Sequence, residues 1–232
     1  MSSPHLTTDL RDGVMTLSLN RPDKLNAIHN DLARALLQAL ASARDNDSVR
    51  TVLLRAAGRA FCAGRDVSSE PTDDDLVVVQ AVSQAIVRLP KPVVVAVQGW
   101  AVGAGLEWML DADVVIAAAD ARFRLPEASL GVFVTGGLTA TLAASAGLGR
   151  AKALMLLGEA FTAAEAQAWG LVWRMVAPQD LEAESRRVAD QLAALRPEVA
   201  QQFKKVLNEV GLAGFEKAIE LENQAQRALS RT

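Results

Sequence analysis

The stretch Pro92 to Gly99, "PVVVAVQG", is the feature that most limits what this chain can become. Pro90 and Pro92 end any helix before it, and Val93 to Val97 then runs apolar without alternation. A strand with one face in water alternates polar and apolar residues; an unbroken apolar run belongs to a strand buried on both faces. Such a strand lies inside a largely parallel sheet whose crossover connections supply the covering helices. The chain therefore reads as α/β.

The segments around it agree. "LTTDLRDGVMTLSL" (Leu6 to Leu19) alternates about Asp12-Gly13, a dipeptide suited to a two-residue hairpin turn, and predicts an opening β-hairpin. Leu32, Leu36, Ala39, Leu40 and Ala43 recur at helical spacing between Asp31 and Asp45, and "SVRTVLLRAAG" then reads as a strand. A helix is expected from about Asp74 to Leu89, another over 104–111, a strand at "DVVIAAA" and a short one at "ARFRL". From Thr139 onward the pattern is helical. There "FTAAEAQAWGLV" opens with a Thr162 to Glu165 capping box and stops at Gly170. The acidic stretch "SSEPTDDD" (Ser68 to Asp75) has no apolar period and is expected to be an exposed loop, with a lid over a pocket as its functional reading. No repeat or linker interrupts the chain, so residues 1–232 are expected to form one domain.

Composition narrows the function. A net charge of -3 without a basic run argues against nucleic acid and leaves a small metabolite as the better partner. One cysteine, Cys62, and two histidines exclude an intrachain disulfide framework and leave little for a structural zinc site, so no metal is expected. The N-terminus lacks the basic-then-apolar pattern of a secretory leader, and the longest apolar run is broken by Gln98 and three glycines. A cytoplasmic protein with no membrane span is the expectation.

Two segments are shaped for chemistry. "AVGAGLE" (Ala101 to Glu107) opens a helix on small residues, where unpaired N–H groups and the helix dipole attract negative charge. "RAFCAGRDV" supplies a second strand-to-turn element with Ala63 and Gly64. If the two turns converge, their N–H groups form an oxyanion hole for a carbonyl oxygen that gains charge during reaction.

These segments, with three others, resemble the enoyl-CoA hydratase/isomerase (crotonase) family. The resemblance covers nearly the whole chain and rests on "LNRPDKLNAI", "FCAGRDV", "KPVVVAVQGWAVGAGLE", "FRLPEASLGV" and "TAAEAQAWGLVWRMV", in that order. It implies a crotonase fold of repeated ββα units, with a spiral α/β core over about 1–138 and a helical region over about 139–232 that mediates a homotrimer or homohexamer. It also implies thioester-binding N–H groups on Ala63 and Ala104, the latter where the family usually has glycine. Coenzyme A, part of the substrate and not a separate cofactor, is expected along Lys24, Asn26 and Ala27 and along Ala63, Gly64, Arg65, Asp66 and Val67, with Gly103 also among the residues that bind the thioester substrate. Glu107 and Glu127 match the family's two catalytic glutamates.

Hydration of a 2-enoyl thioester needs one group to activate water at Cβ and one to protonate Cα. The resemblance assigns Glu107 to the water and Glu127 to the proton. The runner-up is a Δ3-Δ2 enoyl-CoA isomerase with a single proton-shuttling glutamate; other acyl-CoA-processing relatives and a non-catalytic binding protein stand further back. Tyrosine-dependent mechanisms are excluded because the chain has none. The segment after "LGV", "FVTGGLTATL", departs from the proline- and glycine-rich stretch usual in the hydratases.

Other residues carry plainer expectations. Cys62 is expected as a buried small hydrophobe, His29 as a surface or capping residue, and Trp108 as core. Trp100 reads equally as surface or as acyl-pocket wall, and Lys204 and Lys205 are expected to be solvated.

Overall fold

The computed structural model of the protein describes residues 4–66, 68 and 73–229. Strands β1 (Leu6–Arg11) and β2 (Val14–Leu19) pair antiparallel from Leu6↔Leu19 to Arg11↔Val14. Asp12 (φ 53°) and Gly13 (φ 79°) form the two-residue turn in the left-handed conformation that Asp-Gly accepts readily. A 3-10 turn (Pro22–Lys24) leads to α1 (Asn30–Asp45), which buries Leu32, Leu36, Ala39, Leu40 and Ala43 as their spacing requires. Then come β3 (Thr51–Ala56), α2 (Asp73–Arg88) and β4 (Val93–Val97). Most of the "SSEPTDDD" stretch, and Val67, lie outside the described residues.

The chain continues through β5 (Trp100–Val102), α3 (Ala104–Leu110), β6 (Val114–Ala118), β7 (Arg122–Arg124) and the short α4 (Glu127–Leu130). Beyond it lie α5 (Leu138–Ala146), α6 (Leu148–Leu157), β8 (Phe161–Thr162), α7 (Ala163–Ala168) and β9 (Arg174–Val176). After a 3-10 turn (Pro178–Asp180), α8 (Leu181–Ala193), α9 (Pro197–Gly211) and α10 (Phe215–Leu229) complete the described chain.

A six-stranded sheet runs β1-β2-β3-β4-β6-β9, parallel from β2 onward, and a three-stranded sheet runs β5-β7-β8. The valine run is explained by what lies on each side. Val93, Val95 and Val97 face the principal core with α1, α2 and α3, while Val94 and Ala96 face a second core closed by Leu181, Val188 and Ala189 of α8. All five residues of β4 are buried.

Three points refine or correct the expectations. The segment after β4 holds a separate strand, β5, which leaves the large sheet and starts the smaller one. The region after residue 138 is helical apart from β8 and β9, and β9 forms the outer strand of the large sheet against β6. Strands of two or three residues carry too little alternation to stand out in a sequence. Lys204 is the third correction. It is buried, its Nζ 2.8 Å from Asp113 Oδ2 and 3.0 Å from the Ile86 carbonyl oxygen, and so ties α9 to the end of α2 and the start of β6. Lys205, one helical step away, is exposed as expected. The Thr162 to Glu165 capping box is present in both directions. His29 caps α1, its Nδ1 accepting from the Leu32 N–H.

Candidate active site

The two small-residue turns meet. Cys62 and Ala101 form a parallel bridge, with the Cys62 N–H donating to the Trp100 carbonyl (3.0 Å) and the Val102 N–H to the Cys62 carbonyl (2.9 Å). Ala63 and Gly64 therefore leave one strand where Gly103 and Ala104 leave its neighbour. Gly103 turns with φ 50° and ψ −125°, a conformation that side chains oppose, and α3 starts at the next residue.

Glu107, one turn into α3, is 1% exposed. Its Oε1 accepts from the Thr135 N–H (3.0 Å), and its Oε2 accepts from the Thr135 hydroxyl (3.1 Å) and the Gly136 N–H (2.9 Å). Burial pushes its pKa up, and these three donors pull against that shift. Oε1, with a single protein donor, keeps a lone pair for a water or substrate hydrogen. The "TGG" stretch that departs from the family pattern is thus the cradle of this carboxylate. Residue 136 is glycine because a Cβ there would come 2.2 Å from Ser83 Oγ and 2.9 Å from Glu107 Oε2.

Glu127 opens α4 and reaches back across the start of α3. A Cβ on Gly103 would sit 2.6 Å from its Oε1, and its Oε2 is buried without a hydrogen-bond partner. Burial, reinforced by the charge of Glu107, raises its pKa to about 7. The two carboxylates thus flank the first turn of α3, one anchored by donors and one poised to hold a proton near neutrality. Asp111, at the other end of the same helix, and Glu222 on α10 are also buried acids within reach of the Glu107 charge.

As the first residue of α3, Ala104 directs its N–H out of the helix start without an intrahelical partner. The Ala63 N–H donates to the Leu25 carbonyl at 3.0 Å. That bond belongs to a wider union of the two segments expected to hold coenzyme A. Ile28 and Arg65 form a parallel bridge, the Ile28 N–H donates to the Gly64 carbonyl, and the Asp66 N–H donates to the Ile28 carbonyl. Lys24 is exposed at the end of its 3-10 turn, and Ala27 offers its carbonyl to the Arg21 guanidinium. Arg21 also pairs with Asp66 at 3.0 Å; a Ser68 hydrogen bond, then Arg21, hold the Asp66 carboxyl down at about 2.

Asn26 differs from expectation in one respect. Its side chain is fully buried, with Nδ2 donating to the Ala57 and Ala60 carbonyls and Oδ1 accepting from the Arg21 N–H, so it shapes the loop and is not presented to a ligand. Cys62 is an inert thiol: burial pushes it up to about 12, and its Sγ donates to the Asn26 carbonyl. Trp108 is core, and Trp100 is 41% exposed. A cleft of about 420 Å³ between the opening hairpin and α8, lined by Thr16, Ser18, Arg55 and Glu182, contains none of the candidate catalytic residues.

The enoyl-CoA hydratase/isomerase family model matches residues 9–232. The chain belongs to the enoyl-CoA hydratase/isomerase family. Its fold is that of the family's solved members. It superposes on a crystal structure of an enoyl-CoA hydratase from Mycobacterium avium subsp. paratuberculosis K-10 with a TM-score of 0.95 at 33% identity, covering 100% of this chain and 96% of that one. It is 34% identical to the 1,2-epoxyphenylacetyl-CoA isomerase of Escherichia coli K12, over 98% of this chain and 90% of the relative. It is 35% identical to the 2,3-dehydroadipyl-CoA hydratase of the same strain, over 94% and 88%. Family membership makes the chain one of a group of enzymes, and an acyl-CoA substrate is consistent with that membership. Among the described residues no helix is long and apolar enough to cross a membrane.

Proposed function

We propose that the protein is an enoyl-CoA hydratase that adds water syn across a 2-enoyl-CoA thioester to give a 3-hydroxyacyl-CoA. The observation that carries this reading is the pair of unlike carboxylates beside Gly103, with Glu107 held by three donors and Glu127 raised to about 7. Enzymes that need an acid and a base separate the pKa values of paired carboxyls in this way.

In this reading the thioester oxygen lies against the Ala104 N–H and, after exchange of its bond to Leu25, the Ala63 N–H. Glu107 Oε1 holds a water and takes one of its protons as the oxygen bonds to Cβ. Electrons move onto the thioester oxygen as an enolate, and Glu127 returns them to carbon by protonating Cα. The proton gained by Glu107 then passes to Glu127, so the pair regains its starting charge and one water has been consumed. Coenzyme A runs along Lys24 to Ala27 and Ala63 to Val67. Exposed Phe203, Leu207 and Val210 on α9 support a homo-oligomer, read here as a trimer or hexamer. The single buried thiol fits a cytoplasmic setting.

A second reading has its own support. Both Glu107 oxygens have protein donors, whereas Glu127 Oε2 has none, which suits a Δ3-Δ2 isomerase in which Glu127 alone moves a proton between Cα and Cγ. Loss of the enoyl absorbance of crotonyl-CoA, measured for the wild type, Glu107→Gln and Glu127→Gln, separates the two. A hydratase consumes crotonyl-CoA and loses at least ~100-fold in each variant. An isomerase leaves crotonyl-CoA untouched, converts a 3-enoyl-CoA and depends on Glu127.

A further inference from the structure

Helix α10 reaches the site through a carboxylate that the reaction itself does not employ. Glu222 is 1% exposed, with Oε2 accepting from the Gly137 N–H (2.8 Å) and Oε1 from the Thr139 N–H (2.8 Å) and hydroxyl (2.6 Å). Gln226, one turn further, accepts from the Phe133 N–H at 2.7 Å, and the Phe215 ring packs onto Gly137. Asn223 is tied to Gln80 of α2, which fixes the helix in place. One face of α10 therefore holds residues 133–139 from outside, and Thr135 and Gly136 in the middle of that span hold both oxygens of Glu107 from inside.

A carboxylate spent on two amides and a hydroxyl has its own position set, and through them it sets the backbone it binds. Thr135 and Gly136 have little freedom to move while Phe133, Gly137 and Thr139 are fixed on either side. We propose that Glu222 is a positioning residue for Glu107, setting the turn that aims its carboxylate. This rests on the hydratase reading only for the meaning of the rate; the coupling between the two carboxylates stands independently.

The charges that face Glu222 are known on each side. Glu107 and Asp111 of α3 are like charges, and Lys204 of α9 offsets Asp111 and Asp113. On α10 itself Glu216 pairs with Arg88 and Glu220 with Lys217, both at the surface. Loss of Glu222 removes a like charge from Glu107 only above about pH 7, where Glu222 is ionised, while loss of the turn's placement loosens the Thr135 and Gly136 donors that favour ionised Glu107 and slows the chemical step.

The test uses Glu222→Gln, the gentler Thr139→Val, which removes one of the three donors, and Glu216→Gln as a surface control. Glu107 is titrated by carboxyl 13C NMR, assigned against Glu107→Gln, and hydration of crotonyl-CoA is followed across pH. The expected result is a kcat lowered ~100-fold in Glu222→Gln and ~10-fold in Thr139→Val with KM little changed, the scale on which misplacing a catalytic group acts. The Glu107 titration leaves its wild-type position in Glu222→Gln and moves to higher pH in Thr139→Val, where Glu222 stays and only the hold on Thr135 and Gly136 loosens, and the control matches wild type. If Glu222→Gln does not fold, Thr139→Val carries the same two readouts. Variants that melt earlier yet keep the wild-type kcat and Glu107 titration would show that Glu222 only caps α5, which overturns the proposal. If the wild type does not hydrate crotonyl-CoA, the hydratase reading falls, and the Glu107 titration alone decides the inference: a shift upholds it and an unmoved titration overturns it.

Discussion

Oε1 of Glu127 lies so close over Gly103 that a single added methyl carbon there would be 2.6 Å from it. Residue 103 also turns at φ 50°, so its lack of a side chain serves both the backbone and the neighbouring carboxylate.

Gly103→Ala is therefore expected to cost activity out of proportion to stability. Strain at this φ amounts to about 1–3 kcal/mol. Displacement of Glu127 lowers turnover by ~100-fold, since a shift near 1 Å is enough. Thermal melts and crotonyl-CoA kinetics on the same sample separate the two effects; full activity in a folded Gly103→Ala protein would dismiss the steric role.

A distinctive pH response follows from Glu127 and Glu222, both raised to about 7 by burial. In the unfolded chain they titrate near the ordinary 4.5, so between 4.5 and about 7 the native protein holds protons that the unfolded chain has released. Their contribution is full below 4.5 and is lost as pH rises toward about 7. Asp66 and Glu184, held down at about 2, change only on the acid side of this window. Melting curves across the window should show a falling contribution that Glu127→Gln abolishes in part. The hydration rate should also decline as pH rises through about 7, where Glu127 loses its proton. A slope identical in wild type and Glu127→Gln would contradict the burial.

Asn26→Ala removes a side chain that satisfies three backbone groups at the base of the candidate coenzyme A loop. Leaving those groups unpaired costs about 2–4 kcal/mol. Chemical denaturation should register that loss, and KM for the thioester should rise more than kcat falls, because the loop and not the carboxylate pair is disturbed.

Lys204→Met removes the buried cation that Asp113, itself partly exposed, holds at 2.8 Å, and leaving that carboxylate without its partner costs about 1–3 kcal/mol. Lys204→Met/Asp113→Asn, which removes both charges, should recover part of it. Equal destabilisation in the single and double variants would argue that packing, not charge, makes the contribution.

Much of this architecture is legible in the sequence because it is local or periodic. The valine run declares a strand with two covered faces, Asp12-Gly13 declares a turn, and the spacing from Leu32 to Ala43 declares a buried helix face. Glu107 and Glu127 stand out by resemblance to a family. What escaped depends on partners far along the chain. Thr135 meets Glu107 across 28 residues, and Glu222 meets Gly137 across 85. The one available hint at Glu222 is its phase: Phe215, Ala218, Ile219 and Glu222 share the buried stripe of α10, where an acid is out of place unless something binds it. Lys204 gives the same hint one turn from buried Ala200.

The grip of α10 on residues 133–139 also bears on how the enzyme is made. Glu107 and Glu127 leave the ribosome long before Glu222, and until α10 docks, the amides of Gly137 and Thr139 lack their acceptor. A chain in which α10 has not yet docked would thus carry the candidate pair on an unset turn, so docking of this helix, and not formation of the α/β core, completes the geometry of the site.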